Sequence, residues 1–292
     1  MFHRKSCCDC RIVKCIFTSK VSVTIIIKVG HNRKRIDDMI LYFSGTGNSK
    51  YVADFLADKL QDEVVSLGDV LKNSLPLVVE SEKPYVWIAP IYAWRFPCAV
   101  DELFRKFDFQ GNKTVYFVAT MGGDSGNCQK ICEKLVSEKG MTFGGFADVI
   151  MPDNYFGGFN IKNEQEMVDI VKAAHPTLNK IAETIKSGDE LNIRVKSSAG
   201  GLKSGFINYG FCKYMLSNMK YTVNENCTGC GKCERLCPVN NIEMLNGKPQ
   251  FADKCMSCYA CIHKCPEKAI NLGKKTEGKS RYVCIDYKKE NL

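Results

Sequence analysis

The chain has very little histidine: four residues in 292, at His3, His31, His175 and His263. None stands near a candidate nucleophile, which leaves a triad hydrolase without support. Long apolar runs are also missing. The longest near the start, Val21-Ser22-Val23-Thr24-Ile25-Ile26-Ile27, falls far short of the roughly 20 residues that span a bilayer. A secretory signal does not fit either, because Cys7-Cys8-Asp9-Cys10-Arg11 interrupts any early hydrophobic core and no small-residue cleavage site follows. Together these absences predict a cytoplasmic protein with no membrane span.

What the chain does hold in excess is cysteine, 17 residues. Cys7, Cys8, Cys10 and Cys15 make no metal-ligand spacing with a partner set, and Cys98, Cys128, Cys132, Cys212 and Cys284 are scattered and expected to be ordinary buried thiols. The other eight lie between 227 and 265. Without an export signal, so dense a group points to metal rather than to disulfides.

Their order is Cys227-x-x-Cys230-x-x-Cys233-x-x-x-Cys237-Pro238, then Cys255-x-x-Cys258-x-x-Cys261-x-x-x-Cys265-Pro266. Every cysteine recurs 28 residues later, as do Pro238/Pro266, Val223/Phe251 and Ile242/Ile270. This is an internal duplication whose recurring apolar residues mark equivalent core positions. Three cysteines at steps of three wrap one tight loop round a cluster face. The fourth, followed by proline, crosses to the other cluster. One 4Fe–4S cluster is therefore expected on Cys227, Cys230, Cys233 and Cys265, and a second on Cys255, Cys258, Cys261 and Cys237. The competing reading, a zinc-binding interaction module, would use two C-x-x-C pairs separated by a longer loop and has no need of strict triplets. His263 is expected to be solvated, since the ligand count is already complete. The pattern resembles the bacterial two-cluster ferredoxins over about residues 222–273.

Upstream, strand and helix patterns alternate from Met39 to about Ser187. Strands are expected at Met39–Phe43, Val64–Ser66, Tyr85–Ala89, Thr114–Ala119 and Phe146–Met151. Helices are expected from Tyr51 to Leu60 and over about 97–107, 126–139 and 164–187. Such alternation implies a parallel sheet with helices on both faces, and five strands of this kind suggest the doubly wound order 2-1-3-4-5. Leu191 to Tyr221 reads as a flexible start followed by a helix or extended connector packed between two domains.

Directly after the first strand, Ser44-Gly45-Thr46-Gly47-Asn48-Ser49 opens a helix. Hydroxyls, unpaired backbone N–H groups and the helix dipole converge there on an anion. The turn lacks the Gly-Lys-Ser/Thr ending of a triphosphate loop and the G-x-G-x-x-G spacing of a dinucleotide site. A phosphomonoester such as that of FMN fits. Here the sequence resembles the flavodoxins, over about residues 39–187, with Ser49 where their phosphate loop has threonine. The switch-point rule then places the flavin ring over two loops. The first is Pro90 to Pro97, with Tyr92 and Trp94 as stacking faces; the second is Thr120 to Gly126, where Gly122 and Gly123 let the backbone approach. Taken singly, either aromatic has the lesser alternative of being a core residue.

The expected architecture is an α/β flavodoxin-like doubly wound parallel sheet followed by a small α+β two-cluster ferredoxin domain. Its parts are a basic extension over 1–38, an FMN-binding domain over 39–187, a connector over 188–221, a 2×(4Fe–4S) domain over 222–275 and a basic tail over 276–292. The extension is either a poorly ordered tail or translation from an upstream start, the latter favoured because Met39 stands where a buried strand should begin.

Positive charge exceeds negative by nine, with 41 Lys and Arg against 32 Asp and Glu. Residues 1–38 contribute nine basic and three acidic side chains, net +6, which leaves 32 against 29, net +3, for the remainder. Two clusters with their thiolates would remove roughly four of those charges and an FMN phosphate roughly two more. A basic body made for nucleic acid is not supported. Lys232, Arg235, Lys254, Lys264 and Lys268 near the clusters read as a solvated face that could dock an acidic partner.

As a whole the chain resembles the flavodoxin–ferredoxin fusion proteins found mainly in anaerobic prokaryotes. The resemblance implies an electron carrier or a flavin reductase, with redox partner proteins of unknown identity. The expected function is single-electron transfer through two 4Fe–4S clusters coupled to FMN. The alternative is a flavin-dependent oxidoreductase reducing a quinone, nitro compound or disulfide. No residue is assigned a catalytic role.

Overall fold

A computed structural model of the protein describes residues 40–75, 77–155, 162–216 and 219–290. Met39 and the expected basic extension lie outside the described residues. Strand β1 (Ile40–Tyr42) leads into helix α1 (Asn48–Leu60), then β2 (Val64–Ser66), α2 (Leu67–Asn73), β3 (Val78–Ser81) and β4 (Tyr85–Pro90). Helix α3 (Cys98–Lys106), β5 (Asp108–Gly111), β6 (Thr114–Met121), α4 (Cys128–Glu138) and β7 (Thr142–Ile150) follow. Helices α5 (Glu164–Ala173) and α6 (His175–Ser187) then lead to β8 (Leu191–Ile193).

Six of these strands form one sheet in the order β2-β1-β4-β6-β7-β8, with every neighbouring pair parallel. The five expected strands take the order 2-1-3-4-5, and β8 adds a sixth at the edge. Side chains alternate between two apolar layers, as strand geometry requires. Leu41, Trp87 and Phe117 face one layer with Val100, Phe104 and Leu135. Ile40, Val86, Ile88 and Val118 face the other with Val52, Leu56, Leu178 and Ile181. Both faces are covered, so the strands read as continuous apolar runs. The fold is a flavodoxin-like doubly wound sheet.

Three features differ from the sequence expectation. The single helix over 164–187 is two helices that meet at Ala174. Pro176 enters at the start of α6, where its missing N–H costs nothing, but it cannot continue a helix from behind. Strands β3 and β5 form a separate parallel pair, tied to the main sheet by the Tyr85 hydroxyl, which donates to Gln110 O at 2.5 Å. The stretch expected as connector begins with β8 and continues as a helical run of α and π turns, Gly200–Leu202, Lys203–Ile207, Asn208–Gly210 and Phe211–Met215.

The C-terminal module consists of short antiparallel pairs. Strand β9 (Thr222–Val223) pairs with β12 (Ile270–Asn271), and β10 (Ile242–Leu245) pairs with β11 (Lys248–Phe251). Val223 faces Ile270 and Phe251 faces Ile242. These two pairs are each other's counterparts under the 28-residue repeat. The module is not a separate globule. Met256, Cys258 and Ala260 belong to the apolar layer of Leu41 and Phe43, while Tyr282 and Cys284 belong to the opposite layer.

Candidate cofactor sites

The eight repeat cysteines gather around two cavities. One, of about 20 Å³, is lined by Cys227, Cys230, Cys233 and Cys265 with Pro266 and Ile270. The other, also of about 20 Å³, is lined by Cys237, Cys255, Cys258 and Cys261 with Pro238 and Ile242. Among the described residues no three His, Cys, Asp or Glu side chains form a group that could hold a metal ion. Backbone amides point at sulfur at matching places in the two repeats. Asn241 N donates to Cys237 Sγ at 3.2 Å, and Ala269 N donates to Cys265 Sγ at 3.4 Å. Ser257 N donates to Cys255 Sγ at 3.3 Å, and the Tyr221 hydroxyl lies 3.0 Å from the same sulfur. Tyr221 is held there by stacking on Phe251. Burial pushes the Cys258 thiol up to about 12 and raises Cys255, Cys261 and Cys233 as well. Thiolates in so dry a place need a cation to balance them.

The phosphate-loop candidates form the turn between β1 and α1. Gly47 is the residue before the helix and has φ of +115°, a conformation open to glycine. Its amide donates to Ser44 Oγ at 3.1 Å. Thr46 and Ser49 are buried, and Ser49 Oγ lies 2.7 Å from Thr120 Oγ1, which joins this turn to the end of β6. Asn154 donates to Thr46 Oγ1. The amides of the first helical turn have no intrahelical partner.

The first ring-loop candidate is a tight turn. Tyr92 N donates to Arg95 O at 2.7 Å, with Ala93 at φ 48° and Trp94 at φ 63° between them. Two consecutive left-handed non-glycine residues cost of order 1–2 kcal/mol each. The helical run after β8 holds them in place. Asn208 Nδ2 donates to Ala93 O at 2.9 Å and to Tyr92 O at 3.3 Å, and Ser204 Oγ donates to Trp94 O at 2.8 Å. Lys203 sits over the Trp94 ring. Tyr92 packs beside Cys255, Cys258 and Tyr259, so burial, and then those groups, raise its phenol. Pro90 pairs with Thr120 across the sheet. Gly122 lies against Asp153, and Gly123 is open.

Several contacts that join the two modules carry no mark in the sequence. A Cβ added to Gly45 would lie 2.3 Å from Cys258 O, so the phosphate loop and the second cysteine loop touch backbone to backbone. Cys284 N donates to Thr46 O at 2.9 Å. Lys72 Nζ donates to Glu234 O at 2.9 Å, Cys237 O at 3.2 Å and Asn240 Oδ1 at 3.1 Å. His263, expected in solvent, is only 3% exposed. Its Nδ1 accepts from Tyr282 N at 3.1 Å and its Nε2 lies 2.9 Å from Asn154 O. Burial pushes its imidazole down to about 4, so it is neutral at neutral pH. Of the scattered thiols, Cys128, Cys132 and Cys284 are buried, but Cys98 is exposed and Cys212 half-buried. Lys232, Arg235, Lys254 and Lys268 are exposed, whereas Lys264 is half-buried.

A doubly wound sheet with a phosphate-type turn, fused to a duplicated cysteine module, defines a two-part electron-transfer chain. Residues 39–147 match the family described as flavodoxin domain, and residues 226–270 match the 4Fe-4S dicluster domain. The chain is a flavodoxin–ferredoxin fusion. Its first domain implies FMN and its second implies iron–sulfur clusters. Two proteins are similar over a short part of the chain. One is a component of the ion-translocating oxidoreductase complex of Methanosarcina acetivorans, 38% identical over 56 residues. The other is the iron-sulfur component of the nitrate-inducible formate dehydrogenase of Escherichia coli, 40% identical over 63 residues. These matches cover 19% and 18% of this chain, and the chain spans only about a fifth (21%) of each relative. Among solved structures, a flavodoxin from the domain Archaea is 15% identical with a TM-score of 0.28, covering 51% of this chain and 99% of that one. Among the described residues no helix is long and apolar enough to cross a membrane.

Proposed function

We propose that the chain passes single electrons through two 4Fe–4S clusters coupled to an FMN. The observation that carries this reading is the pair of cavities, each lined by three cysteines of one repeat and the fourth of the other. All-thiol donor sets with amides directed at sulfur suit iron–sulfur clusters. Cys227, Cys230, Cys233 and Cys265 would hold one cluster, and Cys255, Cys258, Cys261 and Cys237 the other. Bound there, the clusters supply one-electron steps.

The phosphate turn fits a phosphomonoester. Ser44, Thr46 and Ser49 offer hydroxyls, the first amides of α1 face the same place, and Gly45, Gly47 and Asn48 complete the cradle. Pro90, Tyr92, Trp94, Thr120, Gly122 and Gly123 would flank the ring. Bound FMN supplies exchange between two-electron and one-electron chemistry. The chain's own residues prepare this site. Asn208 and Ser204 fix the Tyr92–Arg95 turn, and Tyr92 presents its ring beside the Cys255–Cys258 loop. The Gly45–Cys258 contact leaves no room for solvent between the two loops at that point. The domain limits we adopt are 39–187, 188–221 and 222–275. The exposed Lys232, Arg235, Lys254 and Lys268 suit an acidic redox partner protein.

Protein purified anaerobically is expected to contain about eight iron and eight sulfide per chain, four of each per cluster, with one FMN. Its visible absorption should bleach with a chemical reductant. Stoichiometric zinc without iron, sulfide or flavin would overturn the proposal.

A further inference from the structure

A cavity of about 300 Å³ lies beside the β9–β12 pair, lined from three stretches of chain. Asn224 and Asn226 come from the turn after β9, Lys268 and Asn271 from either end of β12, and the last wall from the segment 277–281. None of these residues belongs to a cysteine quartet or to the candidate flavin site. The lining has no apolar side chain, and Lys268, Lys279 and Arg281 stand against a single carboxylate, Glu277, three charges minus one, net +2. Neither Lys268 nor Lys279 takes part in a salt bridge among the described residues.

The donors around this space are held in place. Arg281 Nη2 donates to Asn271 Oδ1 at 2.7 Å and to Ile270 O at 3.2 Å, and its Nη1 donates to Thr276 O at 3.2 Å. Thr276 Oγ1 donates to the same Asn271 oxygen at 3.1 Å. Asn271 is only 2% exposed. With its oxygen engaged twice, the donor end of this amide is the end left to meet a ligand. Lys268 has φ of 48°, a left-handed conformation that lysine adopts at a cost. Its counterpart 28 positions earlier, Asn240, has φ of 49° and is a residue at ease there. Asn240 donates to Lys72 O at 2.8 Å and accepts from Lys72 Nζ at 3.1 Å. The same bend thus ties the modules together in the first repeat and brings a cation to the cavity in the second.

We propose that this cavity binds a diphosphate group, either as inorganic pyrophosphate or as the diphosphate of a nucleotide whose base stays outside. A space of this size takes a small molecule, and walls without apolar side chains suit neither a flavin ring, a quinone nor an acyl chain. The net charge of +2 calls for at least a dianion. Phosphate presents acceptor oxygens in several directions, which suits charged and amide donors arriving from three stretches, whereas a carboxylate presents two in one plane. A single phosphate, comparable to a few waters at about 30 Å³ each, leaves most of the space unfilled. The inference stands apart from the electron-transfer proposal, since binding requires neither flavin nor electron flow.

The test is isothermal titration calorimetry of the full-length holoprotein, purified anaerobically without phosphate, at fixed ionic strength. The probes are pyrophosphate, ADP, orthophosphate and citrate. Pyrophosphate or ADP should bind once per chain and at least tenfold more tightly than orthophosphate or citrate. Whichever of the two binds tighter identifies the source, and either result supports the site. Lys268→Asn installs the residue that the first repeat carries on the same bend, so the fold is kept. It should weaken binding roughly tenfold or more, because a charge-assisted contact is lost, and Lys279→Ala should do the same. Lys274→Ala, exposed and outside the lining, should bind as wild type does. Circular dichroism verifies that all three variants fold. The proposal is overturned if neither diphosphate gives saturable binding at millimolar concentrations, or if citrate binds as tightly. It is equally overturned if Lys268→Asn and Lys279→Ala both bind like wild type.

Discussion

Tyr282 donates its phenolic hydrogen to Asn48 Oδ1 at 2.7 Å, across 234 positions of sequence. The same Asn48 amide donates to Pro152 O at 2.8 Å. One buried side chain in the phosphate turn therefore ties down both the segment near the C-terminus and the loop after β7. Tyr282→Phe leaves the Asn48 oxygen buried without its donor. The expected cost is about 1–3 kcal/mol, read as a lower urea midpoint with unchanged slope. A change under about 0.5 kcal/mol, the range of ordinary surface substitutions, would show that the hydroxyl does not hold the strap.

His263 bridges the same two segments through both ring nitrogens. The partner geometry places its proton on Nε2, toward Asn154 O, and leaves Nδ1 as acceptor. His263→Leu orphans the Tyr282 amide and the Asn154 carbonyl together, with an expected loss of about 2–4 kcal/mol from two unmet buried groups. Faster amide exchange should appear at Tyr282. Equal stability of His263→Leu and wild type would contradict this bridge.

The doubly wound order was readable because each main strand is an apolar run buried on both faces, so composition alone marks it. Strand β8 was not readable, since three residues leave no period to detect. The grouping of the eight repeat cysteines around two cavities follows from a spacing that is local and repeated. The burial of His263 was not readable, because it depends on the docking of Tyr282, and nothing around residue 282 announces that contact. The Ala93–Trp94 turn ran against propensity, which would place glycine or asparagine at left-handed positions. Only Asn208 and Ser204, more than a hundred residues away, make it tenable.

Lys72 reaches across from α2 to three acceptors around Cys237. Lys72→Met removes a positive charge that touches Cys237 of one quartet directly and the other only through Glu234, the neighbour of Cys233. The potential of the cluster bound through Cys237 should become more negative, because net charge near a cluster is one of the factors that set it. Redox titration followed by electron paramagnetic resonance should show both centres shifted the same way, the one bound through Cys237 by more. No shift in either centre would count against the assignment.

Crossed ligation predicts a crossed phenotype. In Cys237→Ser the thiols that become alkylatable should be Cys255, Cys258 and Cys261, while Cys227, Cys230 and Cys233 stay protected. Cys265→Ser should give the reverse. If each substitution instead uncovers the triplet of its own repeat, the quartets are wrongly drawn. Quantitative mass spectrometry of alkylated peptides separates the two patterns.

Because each cavity borrows its fourth thiol from the opposite repeat, the duplicated module is indivisible. Clipping the chain anywhere between Gly247 and Cys255 would not leave half a conductor; it would leave two incomplete sockets. Loss of either repeat would leave both cavities short of thiols, because each draws its lining from both.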